Sequence, residues 1–336
     1  MLTRDGLGFH DVVELRDVGE TAGRVLQRVP EDVRVELNEG ARSNYRRPAG
    51  SEIRFVPDGP TDVTLSAPEH ACEVRAYWGP FPERSTTTVG TEPTAVTVEP
   101  PGSLADLDPD AAAAYAHHPR VCRLVMPHES KPVHYHGVAG GVRPPREDEL
   151  PDRTLAAYGT SITRGIAATG PHLTYVHQAA RRLGADPLNL GTAGSAFCEP
   201  EIADHVAARD DWDAVVLALS VNMVAGFSVA EFRERAGYMV DTVAGENPGK
   251  PVVAVTLFPY FPDLRTDPGD HGDYTVFREA LRDAVADCPH DNATLVEGPD
   301  LLPHGRGLTT DLVHPGDDAM IDVGVSLADE LAGLDW

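Results

Sequence analysis

The sequence predicts an α/β fold: a five-stranded parallel sheet covered on both faces by helices, preceded by a β-sandwich. Three observations carry that prediction. Up to about residue 145, short alternating runs close on Gly, Pro, Asn or Asp, the punctuation of sandwich strands. After about residue 152, five apolar runs alternate with amphipathic segments, the pattern of a parallel sheet. Between them, "GVAGGVRPPREDELPDR" concentrates glycine, proline and charge as a linker does. The expected divisions are therefore a sandwich over 1–137, a linker over 138–153 and an α/β domain over 154–336. A chain of 336 residues is long enough for two cores.

In the first half the expected strands are "RVELNEG", "EIRFVPDG", "DVTLSAP", "CEVRAYWGP", "TAVTVEP" and "CRLVMP". One helical candidate, "SLADLDPDAAAAYAHH", is interrupted by Pro109. In the second half the strands are "TLAAYG", "PLNLG", "DAVVLALS", "PVVAVTLF" and "ATLVEG". Helices are expected around 172–183, 199–209, 229–244, 274–287 and 316–332. Ligands of such sheets bind beyond the carboxyl ends of the strands.

Composition narrows the function classes. The formal net charge is −25, and only two of the 28 basic residues, Lys131 and Lys250, are lysines. A dense acidic surface almost free of lysine fits a cytoplasm of molar salt, where the Debye length falls to roughly 3 Å. The melting temperature is accordingly expected to rise steeply between dilute buffer and molar KCl; a flat response would refute salt adaptation. The same charge argues against nucleic acid as a partner, which needs basic patches. No apolar run approaches a membrane span, and "MLTRDGLGFHDVVELRD" lacks the apolar stretch of a secretory signal. A cytoplasmic location without membrane partners is expected. The oligomeric state, a homo-oligomer included, is left open. Cys72, Cys122, Cys198 and Cys288 are scattered and read as free, mostly buried thiols.

Four strand ends carry candidate chemistry. Ser161 follows the first in "YGTSIT", where Gly159 permits a tight turn; it reads as a nucleophile or as a helix cap. "NLGTAGSAF" brings Gly191 and Gly194, for close backbone approach or for a plain loop. "LALSVNMV" brings Asn222, an oxyanion donor or a cap. "TTDLVHPGDDA" places Asp311 three residues before His314, so that the carboxylate can fix the tautomer of the imidazole. Each motif alone is ambiguous. Together and in this order, each after a strand of one sheet, they are much stronger.

On "YGTSIT", "NLGTAG", "SVNM" and "DLVH" the sequence resembles the SGNH (GDSL-type) hydrolases over about residues 152–335, and most closely a subgroup of GDSL-like lipases/acylhydrolases. The resemblance implies a three-layer, flavodoxin-like α/β/α domain behind a jelly-roll-like sandwich. It implies Ser161 as nucleophile, His314 as base and Asp311 as its orienting acid. The Ser161 and Gly194 N–H groups and the Asn222 side chain would then form the oxyanion hole. The expected activity is that of a serine esterase without cofactor, acting on a short acyl ester of a small molecule or carbohydrate. The competing expectations are an acyltransferase with the same residues, or a glycan-binding protein with an inactive hydrolase fold. Gly-Thr-Ser-Ile stands where the family has Gly-Asp-Ser-Leu, and Ser-Val-Asn-Met where it has Gly-x-Asn-Asp. Neither change removes a reacting group.

Other residues have plainer expectations. His134 and His136 share a strand face, but nothing completes a metal-ligand set, so they read as ordinary strand histidines and no metal is expected. His117 and His118 are expected at the surface. Phe227, Phe258, Tyr260 and Phe261 are expected to pack in the core or to line a pocket. The long connection "LFPYFPDLRTDPGDHGDY" favours a pocket-forming loop.

Overall fold

A computed structural model describes residues 1–18, 23–266 and 274–336. The chain divides into two compact units, residues 1–31, 45–153 and 184–186 in one and residues 32–44, 154–183 and 187–336 in the other.

The first unit holds two antiparallel sheets. One runs in the order Leu2–Arg4, Leu7–His10, Glu52–Pro57, Cys122–Val125, Cys72–Trp78 and Phe81–Pro82, with Val142–Arg143 and Thr87–Val89 on its flanks. The other runs Thr94–Val98, Thr61–Ser66, His134–Ala139, Arg24–Gln27 and Glu14–Asp17. Alternation decides which side chains go inside: Val63 and Leu65 point inward while Asp62 and Thr64 stay partly exposed. Phe9, Ile53 and Leu124 of one sheet share a core with Val63, Val96 and Tyr135 of the other.

The opposite face of the first sheet carries buried charge, because Glu52, Arg54 and Arg123 alternate with the core residues Ile53, Phe55 and Leu124. Arg54, 0% exposed, donates from Nε to Glu52 at 2.7 Å and from its two terminal nitrogens to Asp186 at 2.7 and 2.8 Å. Arg123 forks onto both oxygens of Glu52, its Nε 2.7 Å from the Oε2 that Arg54 also meets. Burial pushes both carboxyls upward, but the guanidiniums beside them win, and Glu52 and Asp186 lie well below the usual carboxylate range.

Three expectations for this half are corrected. "RVELNEG" is not a strand: Glu31–Glu36 and Glu39–Asn44 are helices. Pro30 followed by Glu31 and Asp32 is a helix start. The buried residues Arg34, Leu37, Ala41 and Asn44 follow spacings of three and four rather than two. The stretch 138–153 is no free linker. It completes the strand His134–Ala139, returns as Val142–Arg143 and closes on a 3₁₀ turn at Glu147–Glu149. Its glycines serve the reversal, with Gly140 at φ +118°, and Arg143 grips Glu149 with two hydrogen bonds of 2.7 and 2.6 Å. His117, finally, is buried at 8% exposure, its Nε2 2.9 Å from Asp186. The helix around Pro109 runs only Pro109–Ala113, so His117 lies beyond it. Burial, with Arg123 nearby, pushes its pKa down to about 4.

His134 and His136 do lie in the strand His134–Ala139, and His136 Nε2 stands 2.8 Å from Ser66 Oγ. Among the described residues no group of three or more His, Cys, Asp or Glu side chains could hold a metal ion. All four cysteines are free thiols, Cys122 and Cys198 buried, Cys72 and Cys288 partly so.

The second unit is built on the parallel sheet, in the order Asp186–Asn189, Thr154–Gly159, Ala214–Ala218, Val252–Val255 and Ala293–Val296, of which only Asp186 falls in the first unit. In chain order this reads 2-1-3-4-5, the flavodoxin-like arrangement. The three central strands are almost wholly buried, which is why their sequences read as continuous apolar runs. Tyr175–Leu183 packs on Asp317–Ala332, while Pro200–Ala208, Val229–Glu246 and Thr275–Ala286 pack on one another in turn. Gly324 permits the first of these crossings: a Cβ there would stand 2.5 Å from Gln178 Cβ. Because chain order reverses about Thr154–Gly159, a crevice opens at the carboxyl end of that strand. Among the described residues no helix is long and apolar enough to cross a membrane.

Candidate active site

The strand Thr154–Gly159 ends where a side chain has no room. A Cβ on Gly159 would collide with Thr163 and stand 2.7 Å from the Ala218 carbonyl oxygen. Thr160 then takes the cap position, and its hydroxyl accepts from the Ile162 N–H at 3.4 Å. The threonine of "YGTSIT" thus caps the short helix Ser161–Arg164, and the serine hydroxyl meets another partner. That partner is His314, whose Nε2 is 2.8 Å from Ser161 Oγ.

His314 is held from behind. Its Nδ1 stands 2.7 Å from Asp311 Oδ2, so the carboxylate accepts a hydrogen bond from Nδ1–H and leaves Nε2 to accept from the serine. The other oxygen, Asp311 Oδ1, accepts from Val313 N at 2.8 Å, His314 N at 2.9 Å and Thr309 Oγ1 at 2.9 Å. Burial works against the charged carboxylate, but these donors, the imidazole first, hold its pKa well below the ordinary value. Leu312 adopts φ +58°, the backbone reversal that brings residues 311 and 314 onto one another.

The remaining predicted residues gather around the serine. Ser161, Gly194, Asn222 and His314 all line one cavity of about 590 Å³. The two glycines of "NLGTAG" serve different ends. Gly191 lies so close to the Arg164 backbone that a Cβ could not fit, whereas Gly194 has open space and a φ of +66°. The Asn222 carbonyl accepts from Ala196 N at 3.2 Å, which orients its N–H₂ as the available donor. Just before it, Ser220 sits at φ +100° with its buried hydroxyl unpartnered among the described residues. A glycine would hold that turn without strain; a serine there costs about 1–3 kcal/mol.

The cavity wall is otherwise apolar, built by Ile166, Val221, Val224, Tyr260, Phe261 and Val313. Of the four aromatics singled out in the sequence, Tyr260 and Phe261 therefore line the cavity. Phe258 packs on Tyr175 with ring centroids 6.2 Å apart, and Phe227 packs on Phe197 at 5.1 Å. The second half of the connection expected to form a pocket loop, residues 267–273, lies outside the described residues. Sequence patterns singled out neither Ile166 nor the valines, because nothing distinguishes them from core residues of a strand or helix end.

A 2-1-3-4-5 sheet carrying such a serine at its switch point belongs to the ester-hydrolysing serine hydrolases. Residues 152–325, just over half of the chain, match the profile of the GDSL-like Lipase/Acylhydrolase family, and the chain belongs to that family. No curated protein is a match in sequence. Among solved structures, the chain is similar to the salicylyl-acyltransferase SsfX3 from a tetracycline biosynthetic pathway. That likeness is 16% identical with a TM-score of 0.75, covering 98% of this chain and 96% of the other. A putative GDSL-like lipase from Bacteroides ovatus is 16% identical with a TM-score of 0.64, over 97% of each chain. A family two carbohydrate esterase from Cellvibrio japonicus is 12% identical with a TM-score of 0.65, over 98% of this chain and 95% of that one. At these identities the likeness is one of fold, and it extends over both halves of the sequence.

Proposed function

We propose that this protein cleaves a carboxylic ester through an acyl-serine intermediate, with Ser161, His314 and Asp311 as the reacting set. The observation that carries the reading is the continuous line of hydrogen bonds, 2.8 Å from serine to imidazole and 2.7 Å from imidazole to carboxylate. Ser161 Oγ attacks the carbonyl carbon while its proton passes to His314 Nε2. The Asp311 carboxylate stabilises the imidazolium that results. The carbonyl oxygen becomes an oxyanion, met by the Ser161 and Gly194 N–H groups and the Asn222 amide. Collapse breaks the ester C–O bond, and His314 gives its proton to the leaving alcohol. Water, activated by the same imidazole, then releases the acid and restores the serine.

A small acyl group, of which acetyl is the simplest, fits against the apolar wall of Ile166, Val221, Val224 and Phe261. The alcohol is a carbohydrate or other polyol. Support for that part of the reading comes from similar folds described as family two carbohydrate esterases, one of them in complex with cellohexaose, and as an acetyl xylan esterase. A second reading, acyl transfer to an alcohol by the same residues, is favoured by the likeness to a salicylyl-acyltransferase over nearly the whole chain. The two readings share the acyl-serine and differ only in its acceptor.

The test is to quench the protein in acid during turnover of p-nitrophenyl acetate in molar KCl and to map the modified peptide. Acetyl on the peptide carrying Ser161 is expected, with its decay accelerated by water alone for an esterase and by an added alcohol for a transferase. A protein that neither acquires the acyl group nor releases nitrophenol from any ester would instead be a binding protein on a hydrolase fold.

A further inference from the structure

Two of the three proposed oxyanion donors are backbone N–H groups on separate segments: Ser161 opens a four-residue helix and Gly194 lies in a loop 33 positions later. A pair of donors works only if the distance between them is fixed. The segment that bridges them comes from far upstream. Asn44, 4% exposed at the end of the helix Glu39–Asn44, donates its amide N–H₂ to the Ala193 carbonyl at 3.1 Å and to Ser195 Oγ at 3.1 Å. These two residues flank Gly194. The same N–H₂ also donates to the Gly40 carbonyl at 2.8 Å, which fixes the rotamer. On its other side, Asn44 Oδ1 accepts from Arg164 Nη1 at 2.5 Å. Arg164 is the last residue of the helix that begins at Ser161, and it is 1% exposed.

One amide thus holds both donor segments at once. Neighbouring contacts tighten the arrangement. Asn38 donates to the Ser195 carbonyl at 2.9 Å and ties itself to Glu199, while Gly40 lies where a Cβ would stand 2.7 Å from Ser195 Cβ. We infer that Asn44 is a positioning residue for the oxyanion hole, setting the Gly194 loop against the helix of Ser161 without itself touching substrate. The inference rests on the esterase reading above. An amide is the group required, because it must accept from a guanidinium and donate to a carbonyl in the same place.

The test compares Asn44→Ala, Asn44→Asp and Ser161→Ala with the unmodified protein, using p-nitrophenyl acetate as substrate and phenylboronic acid as inhibitor. The boronate forms a tetrahedral adduct on a serine and so reads the oxyanion hole directly. Both Asn44 variants are expected to lose about 10–100-fold in kcat with KM within about threefold, the size of effect a misplacement of about 1 Å produces. The boronate inhibition constant should rise by a factor similar to the loss in kcat. Asn44→Asp keeps the size of the side chain and still accepts from Arg164, so it carries the test if Asn44→Ala does not fold. If both variants melt as cooperative proteins and keep kcat and boronate affinity within about twofold of the original, Asn44 is structural only and the inference fails. A kcat loss with no change in boronate affinity overturns it too. Turnover unchanged in Ser161→Ala would overturn the esterase reading itself, a failure separable from the other two.

Discussion

Ser161→Ala is expected to lower kcat for p-nitrophenyl acetate by about 10⁴–10⁶-fold while leaving the melting temperature nearly unchanged. The side chain loses one hydroxyl whose only hydrogen bond among those described runs to His314, and Thr160 rather than Ser161 caps the helix. Little folding energy therefore depends on it. His314→Ala should cost almost as much in rate, and the double variant hardly more than either alone, because the serine and its base act as one unit. Asn222→Ala removes a donor and not the nucleophile, so its loss should be smaller, about 10²–10³-fold. Steady-state assays in molar KCl distinguish these levels. Equal losses for Ser161→Ala and Asn222→Ala would contradict the division of roles.

The second large effect is on stability. Arg54→Ala is expected to reduce the free energy of unfolding by about 3–5 kcal/mol, read from the denaturant midpoint. One guanidinium satisfies both Glu52 and Asp186, and its removal leaves two buried carboxylates short of charge. Replacing Arg54 and Asp186 together by Met and Asn, with Glu52 left to its pair with Arg123, should recover much of the loss, since the damage comes from unpaired charge more than from lost attraction. The network also sets the response to acid. Glu52 and Asp186 have folded pKa values below their unfolded ones, so their contribution is fully present above the ordinary carboxylate range and is lost as pH falls from there through their lowered folded values. His117 adds to the same direction. Buried neutral with a pKa of about 4 against an ordinary 6.5, it favours the folded state above pH 6.5 and loses that contribution as pH falls toward 4. Stability should accordingly begin to fall below about pH 6.5, before the carboxylates titrate. A flat profile between pH 6.5 and 4.5 would contradict the buried, neutral His117.

Three of the residues gathered around Ser161 are legible in the sequence because they follow strand ends: an apolar run that stops at Gly159, Leu190 or Ser220 needs no knowledge of distant partners. Asp311 and His314 follow no such run and are legible from their own spacing of three before a proline. Which hydroxyl of "YGTSIT" caps the helix is visible only in three dimensions, where Thr160 takes that place. Elsewhere the competing signal was stronger. Val33, Val35 and Leu37 alternate as a strand would, yet Leu37 is buried and Val35 exposed, because the burial of Arg34 and Asn44 sets a helical face. A buried arginine is invisible to a hydrophobic pattern. The burial of His117 is invisible for a related reason: its partner, Asp186, lies 69 residues away. Glycines and prolines at 137–153 signalled an interruption correctly, but they punctuate a strand reversal and not a free tether.

The helical pair at 31–44 has one more consequence, for the order of assembly. These helices are synthesised before almost all of the unit that contains them, and residues 45–153, most of the other unit, emerge next. On the ribosome, the early helices must wait with their buried faces unmatched until residues 164–199 appear. Neither helix is long enough to persist alone in water. The sandwich can close first, and the hydrolase unit can mature only when its earliest and latest portions meet. Cutting the gene at codon 154 would therefore not release an intact enzyme, although the family match begins almost there.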